Sequence, residues 1–298
     1  MYELKIESFC RCCTELSGRG QGELVMHEQA WNIRLENLSM GYGRKPVLEN
    51  INAELPAGKI SIILGGSGCG KSTLLRHIAG LARPLGGKLY IGGQDLFALP
   101  EAQFNRLRRH MGVLFQGGAL LGALDVAQNV ALPLVEHTRL PKKTIAAAAQ
   151  RCLEAVGLGD AGAYFPSELS GGMRKRAGLA RAIITEPRIL LCDEPCSGLD
   201  PINAARMDQL LLDMKAQFPD MSLVVVSHDL ASLARIADHV LVLHEGGVIF
   251  QGTYASLQLV EDPYLQGFLR RDSRDDTACC AAVGLMDEAV REALRAWR

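Results

Sequence analysis

Residues 65–72 read Gly65-Gly-Ser-Gly-Cys-Gly-Lys71-Ser72, and the stretch in front of them is Lys59-Ile-Ser-Ile-Ile-Leu64. A continuous apolar run of that length, ended by glycines, predicts a strand buried on both faces. The run Ser72 to Leu81 behind the glycines reads as a helix. Strand, glycine loop and helix in that order form the context in which GxxxxGK[ST] carries meaning. There the loop Gly65, Gly66, Ser67, Gly68, Cys69 and Gly70 turns its backbone N–H groups around a polyphosphate. Lys71 reaches the outer oxygens, Ser72 offers a hydroxyl to Mg²⁺, and Thr73 continues the helix N-terminus whose partial positive charge favours anions. A dinucleotide fingerprint would need GxGxxG; counted from Gly66 or Gly68, its third glycine is replaced by Lys71 or Thr73.

A second buried strand, Ile189-Leu-Leu-Cys-Asp193-Glu194, ends in two carboxylates. Ligands of open parallel sheets gather at the carboxyl ends of the strands, so both acids are expected to face the phosphates. Phosphoryl transfer divides the labour between such a pair: Asp193 holds Mg²⁺ through water, and Glu194 orients and deprotonates the attacking water. Ahead of this pair lies Leu169-Ser-Gly-Gly-Met173, which opens a helix and forms a second small phosphate cradle.

Together with Lys71 and Glu194, this turn closely resembles the ABC ATPase family, whose defining pentapeptide is LSGGQ. The resemblance covers roughly residues 32–254. It implies an α/β P-loop NTPase fold with a mostly parallel core sheet, an antiparallel β subdomain and an α-helical subdomain, and an enzyme that hydrolyses ATP with Mg²⁺. It implies that Tyr42 stacks on adenine, that Gln116 senses the metal and the nucleophile, and that His228 is the switch histidine at the γ-phosphate. Ser197-Gly-Leu-Asp200 resembles the loop that communicates across a dimer, with Gly198 where alanine is common. By the same resemblance the chain works as a homodimer: each ATP lies between the glycine loop of one subunit and Ser170, Gly171 and Gly172 of the other. Met173 departs from the family glutamine, while the phosphate-facing atoms of Ser170 to Gly172 are retained. The helical lobe between Gln116 and Leu169 is where the family docks its integral membrane permease subunits.

Two details resemble the ATPases of Mla- and Mce-type transporters, which move phospholipid or other hydrophobic molecules between the membranes of bacterial envelopes. One is the segment Val113-Leu-Phe-Gln-Gly-Gly-Ala-Leu-Leu-Gly-Ala-Leu124 with Asn129-Val-Ala-Leu-Pro133; the other is the LSGGM form of the pentapeptide. Gly117 to Leu124 also reads as an apolar docking surface for any permease. An ATPase of a small-solute importer therefore stays open, as does a non-transport ABC ATPase serving a soluble assembly such as an iron–sulfur scaffold.

Composition supports a globular chain and excludes several classes. With 298 residues and 48% hydrophobic composition the chain can bury one large domain or one domain with two lobes. Its 32 Lys plus Arg against 33 Asp plus Glu leave no positive field for nucleic acid. No apolar stretch approaches the ~18 residues of a membrane span, and no secretory signal is visible. The expected location is the cytoplasm, with the resemblance adding the cytoplasmic face of the inner membrane. The nine cysteines read as reduced thiols, and Cys10, Cys12 and Cys13 do not make up a zinc set. The histidines other than His228 (His27, His77, His110, His137, His239 and His244) read as structural.

Along the chain, residues 1–30 form a loose extension around Ser17-Gly-Arg-Gly-Gln-Gly22, and Met26 is a candidate start of translation. Residues 31–269 form the ATPase domain, opening with antiparallel strands around Ile33 to Leu38 and Val47 to Leu55. The stretch from Pro100 to Glu186 reads as mainly helical, with a helical subdomain at about 113–186. Strand and helix then alternate from Arg188 to Gln251, as a parallel sheet covered by helices requires. Residues 270–298 read as a charged linker and a helix from Leu285 to Trp297, a candidate site for accessory subunits.

Overall fold

The computed structural model describes residues 31–43 and 45–270. The expected N-terminal extension, Met26, the Cys10 to Cys13 cluster and the last helix with Trp297 lie outside the described residues.

Two sheets share the work. Strands β1 (Ile33–Tyr42), β2 (Lys45–Leu55), β4 (Gly86–Ile91) and β5 (Gln94–Asp95) form an antiparallel sheet in the order β2-β1-β4-β5. Strands β3 (Ile60–Gly65), β6 (Met111–Leu114), β7 (Ile189–Asp193), β8 (Ser222–Val226), β9 (His239–His244) and β10 (Gly247–Gly252) form the second, in the order β10-β9-β3-β8-β7-β6. Within it β9, β3, β8, β7 and β6 run parallel and β10 turns back antiparallel on β9.

The helices are α1 (Lys71–Ile78), α2 (Glu101–Arg108), α3 (Val126–His137), α4 (Lys142–Ala155), α5 (Gly171–Ile183), α6 (Pro201–Gln217), α7 (Leu230–Ile236), α8 (Tyr254–Gln258) and α9 (Pro263–Arg270). Among the described residues no helix is long and apolar enough to cross a membrane.

The sequence of β3 explains why two cores exist. Successive side chains of a strand point to opposite faces. Ile60, Ile62 and Leu64 join a cluster with residues of α3, α4, α5 and α6, while Ile63 joins the cluster of α1 and the antiparallel sheet. Every residue of β3, β7 and β8 is buried. That is the reason these strands read as unbroken apolar runs rather than as alternating ones.

One boundary drawn from the sequence is corrected and one segment is added. The stretch from Pro100 to Glu186 is mainly helical, but within it Met111–Leu114 is the edge strand β6, paired in register with Ile189–Cys192. A helical lobe drawn from residue 113 therefore cuts into the core sheet. The antiparallel layer also has β4 and β5, in a segment whose two glycines at Gly86 and Gly87 hide a short strand that buries only Leu89 and Ile91.

Candidate active site

Strand order assembles the site. The glycine loop follows β3, His228 lies two residues beyond β8, Glu194 follows β7 directly, and Gln116 lies two residues beyond β6. These four strands are parallel neighbours in the order β3-β8-β7-β6, so four loops leave the same edge of the sheet side by side. Glu194, on the strand between, comes to lie between the other two. Its Oε2 accepts from Gln116 Nε2 and its Oε1 meets His228 Nδ1, both at 3.3 Å. The Glu194 side chain is 17% exposed and the His228 ring 61%, so water reaches the carboxylate from the histidine side.

The glycine loop is built by close approach. A Cβ on Gly65 would stand 2.3 Å from the carbonyl oxygen of Leu243 and 2.5 Å from Cys69 Sγ. At Gly70, where φ is 102°, it would stand 2.7 Å from Leu48 Cγ. Gly70 precedes α1 without a side-chain cap, which leaves the first N–H groups of the helix available to an anion. Lys71 is buried, and its Nζ donates to the carbonyl oxygens of Gly65 and Gly66, each at 2.8 Å. Ser72 donates its hydroxyl to Asp193 Oδ1 at 2.8 Å.

Burial raises the pKa of Asp193, the Ser72 hydrogen bond opposes that rise, and the nearby Glu194 adds to it. A buried carboxylate so placed gains from a cation. The available donors, the Asp193 carboxylate, the Ser72 hydroxyl and the Gln116 amide oxygen, are hard oxygens that fit Mg²⁺. Among the described residues no group of three or more His, Cys, Asp or Glu could hold a metal by itself. Magnesium fits this set only together with phosphate oxygens.

The second cradle stands apart. Ser170 and Gly171 are exposed at the N-terminus of α5, with Leu169 buried beneath them. Ser170 caps the helix, its Oγ accepting from Met173 N–H at 3.2 Å. Met173, at the position that departs from the family pattern, packs against the larger core cluster. Asp200 caps α6, accepting from the N–H groups of Ile202 and Asn203 at 3.1 Å each. Its amide neighbour Asn203 holds its carboxyl below the usual range. Tyr42 ends β1 opposite Lys45.

Several residues at the site were not singled out by sequence reasoning. Lys175 of α5 is buried and donates to the main-chain oxygens of Glu194, at 3.0 Å, and Ser197. Asp208 of α6 accepts from Ser232 Oγ at 2.5 Å and Cys196 Sγ at 3.3 Å and pairs with Arg235 at 2.8 Å. It thereby ties the loop after Glu194 to α7, the helix behind His228. Asn129, fully buried, accepts from Leu121 N–H and donates to the carbonyls of Leu121, Leu124 and Asp125. With Arg181, which donates to Gly118 and Ala119, it fixes the loop after Gln116. A polar residue inside an apolar helix pattern is the one signal that could have flagged Lys175, Asp208 and Asn129, since such residues are buried only with partners.

His77 is buried in α1 with Nδ1 on the Thr73 carbonyl at 2.8 Å. Cys69, Cys152, Cys192 and Cys196 are free thiols, and burial pushes Cys152 and Cys196 up to about 12.

Residues 48–197 match the family model described as ABC transporter. The intermembrane phospholipid transport system ATP-binding protein MlaF of Escherichia coli K12 is 39% identical over 237 residues, 80% of this chain and 88% of that protein. The probable ribonucleotide transport ATP-binding protein mkl of Mycobacterium leprae is 38% identical over 80% of this chain and 68% of its own length. For its Mycobacterium tuberculosis counterpart the share is 66%. Among solved structures, the dimeric post-hydrolysis state of the ATP-binding cassette MJ0796 bound to ADP and Pi superposes with a TM-score of 0.68 at 30% identity, over 74% of this chain and 98% of that one. Clostridium perfringens cbiO1, part of the ABC transporter complex cbiONQ, gives 0.69 at 27% identity over 81% of this chain and 96% of its own.

Proposed function

Because the chain belongs to the ABC transporter family of ATP-binding, ATP-hydrolysing subunits, we propose that it energises the transport of phospholipid or a related hydrophobic molecule across a bacterial envelope. In this reading it acts as a pair of copies seated on integral membrane permease subunits at the cytoplasmic face of the inner membrane. The observation that carries the chemistry is the convergence of Gln116, Glu194 and His228 beside the glycine loop. The lipid cargo is supported by the likeness to MlaF over most of both chains and by the Val113 to Leu124 segment with the LSGGM turn.

The chain's own residues perform the hydrolysis as follows. The loop from Gly65 to Gly70 and the N-terminus of α1 receive the phosphates, and the Lys71 ammonium exchanges its loop carbonyls for β and γ oxygens. By the family resemblance, Tyr42 is the residue that would stack on adenine. Ser72, Asp193 and Gln116 would hold Mg²⁺, which would withdraw charge from the phosphate oxygens. Glu194 takes a proton from water as that water's oxygen bonds to the γ-phosphorus; the bond to the bridging oxygen breaks and ADP leaves with its electron pair. Gln116 and His228, on either side of the carboxylate, orient the water and the γ-phosphate. Ser170, Gly171 and Gly172 of the second copy close the site from above, and Asp200 lies in the loop that joins the two copies. Hydrolysis removes the charge that bridges them, and the pair relaxes.

The groove between α2, β6, α3 and α5, which includes Phe115, Leu132, Pro133 and Arg181, is the proposed seat of the permease. The loop from Gln116 forms one wall, so motion at the γ-phosphate reaches the partner directly. Purification of the tagged chain in mild detergent, with mass spectrometry of bound proteins and lipids, tests the proposal. Integral membrane partners with co-purifying phospholipid are expected. Soluble scaffold proteins in their place would overturn transport, and a permease without lipid would favour a small-solute importer.

A further inference from the structure

Glu194 has an unusual backbone for a non-glycine residue, with φ at 50° in the left-handed region. Such a conformation persists only where the surroundings over-determine it. Both peptide groups of Glu194 are held. Its N–H donates to the carbonyl of Val226 at the end of β8, at 3.0 Å, and its own carbonyl takes a hydrogen bond from Lys175 Nζ at 3.0 Å. The same ammonium reaches the carbonyl of Ser197, the first residue of the loop that ends at Asp200. The held backbone sets the direction in which the Glu194 side chain leaves the main chain, and its carboxylate meets Gln116 on one side and His228 on the other.

Lys175 is itself placed by the second phosphate cradle. It lies in the first turns of α5, whose N-terminus is the Ser170 cap. Only 7% of it is exposed, although a lysine is seldom buried without a dedicated partner. Its partners are main-chain oxygens rather than an acid chosen to neutralise it. Burial lowers its pKa, and Cys196 and Glu194 draw it back up. A buried ammonium committed to two carbonyls of a catalytic turn is costly for mere surface or core filling.

We propose that Lys175 is a positioning residue that transmits the state of the Ser170 to Gly172 turn to Glu194 and to the Ser197 loop. The proposal rests on the pairing of two copies described above. In that arrangement the turn meets the nucleotide held by the partner, while Glu194 acts on the nucleotide held by its own chain. Lys175 is then a contact inside one subunit through which the two sites of the pair sense each other.

The test compares steady-state ATP hydrolysis by the full chain with that of Lys175→Met, which keeps the apolar stem, and Lys175→Arg, which restores a cationic donor. Lys175→Met is expected to lose roughly 10- to 100-fold in kcat with KM for ATP unchanged, as misplacement of a reacting group does. Lys175→Arg should recover most of the loss, and the Hill coefficient for ATP should fall toward one in Lys175→Met alone. Should Lys175→Met fail to fold, Lys175→Gln, whose amide reaches one carbonyl, is expected to give an intermediate kcat with the same split. Wild-type kcat in Lys175→Met or Lys175→Gln would overturn the proposal, as would a joint fall of kcat, ATP binding and melting temperature that arginine does not repair. An unchanged Hill coefficient would overturn the link between sites. Absence of hydrolysis by the wild-type protein would instead defeat the ATPase reading itself.

Discussion

The chain carries two proposed phosphate cradles of opposite character. The Gly65 to Ser72 loop is closed in on itself: Gly65 is wedged against Leu243 and Cys69, Gly70 against Leu48, and Lys71 is buried on the carbonyls of its own loop. The Ser170 to Gly172 turn lies at the surface, fixed from below by Leu169 and Met173 and capped by its own serine. Beside the first, Glu194 meets Gln116 and His228 and Ser72 donates to Asp193, the side chains proposed as base, orienting groups and metal-binding acid. The second offers N–H groups and a hydroxyl, and the charged side chain hydrogen-bonded to it is Arg174, which donates to Leu169 at 2.6 Å. One cradle can perform chemistry; the other can only recognise an anion. A chain with one working half and one recognising half makes physical sense when a second copy supplies what each half lacks.

The largest effect should come from the working half. Glu194→Gln keeps the shape of the side chain and removes the base, so kcat should fall by roughly two to four decades, while nucleotide-bound pairs accumulate; turnover assays with size-exclusion chromatography in ATP would read both. Full activity would remove Glu194 from the role of base. Lys71→Ala comes next. Loss of a charge that stabilises the transferring phosphoryl group should cost roughly two to three decades in kcat/KM, and a fluorescent ATP analogue should bind more weakly as well.

A sharper test of the two-half arrangement mixes variants. Lys71→Ala disables the working half of one copy, and Ser170→Arg fills the recognising half of another with bulk. Each alone should be inactive as a homodimer. In a mixed pair the two defects fall on the same site and leave the other intact, so combining inactive proteins should restore hydrolysis. If mixtures stay at background while the pairs are shown to exchange, the sandwich of one loop with the other chain's turn is wrong.

How much of this was legible in the sequence follows from what each residue contacts. The glycine loop, the Asp193-Glu194 pair and the Ser170 turn are continuous in the chain, so their spacing alone carries the chemistry. Gln116 and His228 were located through family order, and the reason they meet Glu194 lies in the strand order β8-β7-β6, which no local pattern records. Strand β6 was hidden because Met111–Leu114 is four residues long and half buried, too short to set a period against the helices around it. Lys175 stands between Arg174 and Arg176 and was not singled out in the sequence. Its burial depends on the Glu194 turn packing beneath α5, a contact between residues 19 apart in the chain. Asp200 was legible as part of a loop, but its capping of α6 was seen only in the structure.

The smallest effect separates the two serines that the cradles present. Ser72 gives its hydroxyl to Asp193 and Ser170 uses its oxygen as a helix cap. A hydroxyl has one proton to donate and two lone pairs, so Ser170 can cap α5 and still donate to a phosphate oxygen of a second copy. Removing it costs the cap first. Ser170→Ala should destabilise the nucleotide-free protein by ~1 kcal/mol, a fall of about 2–4 °C in melting temperature for a domain of this size, and Ser170→Thr should restore it. Ser72→Ala removes a hydrogen bond that favours the ionised form of a buried acid. The loss leaves Asp193 easier to protonate and no helix end uncapped, so its cost should appear in hydrolysis rather than in melting. Calorimetry of both variants without nucleotide decides between them: equal melting losses would mean that the two cradles are held together in the same way, and the contrast between a closed half and an open one would fail.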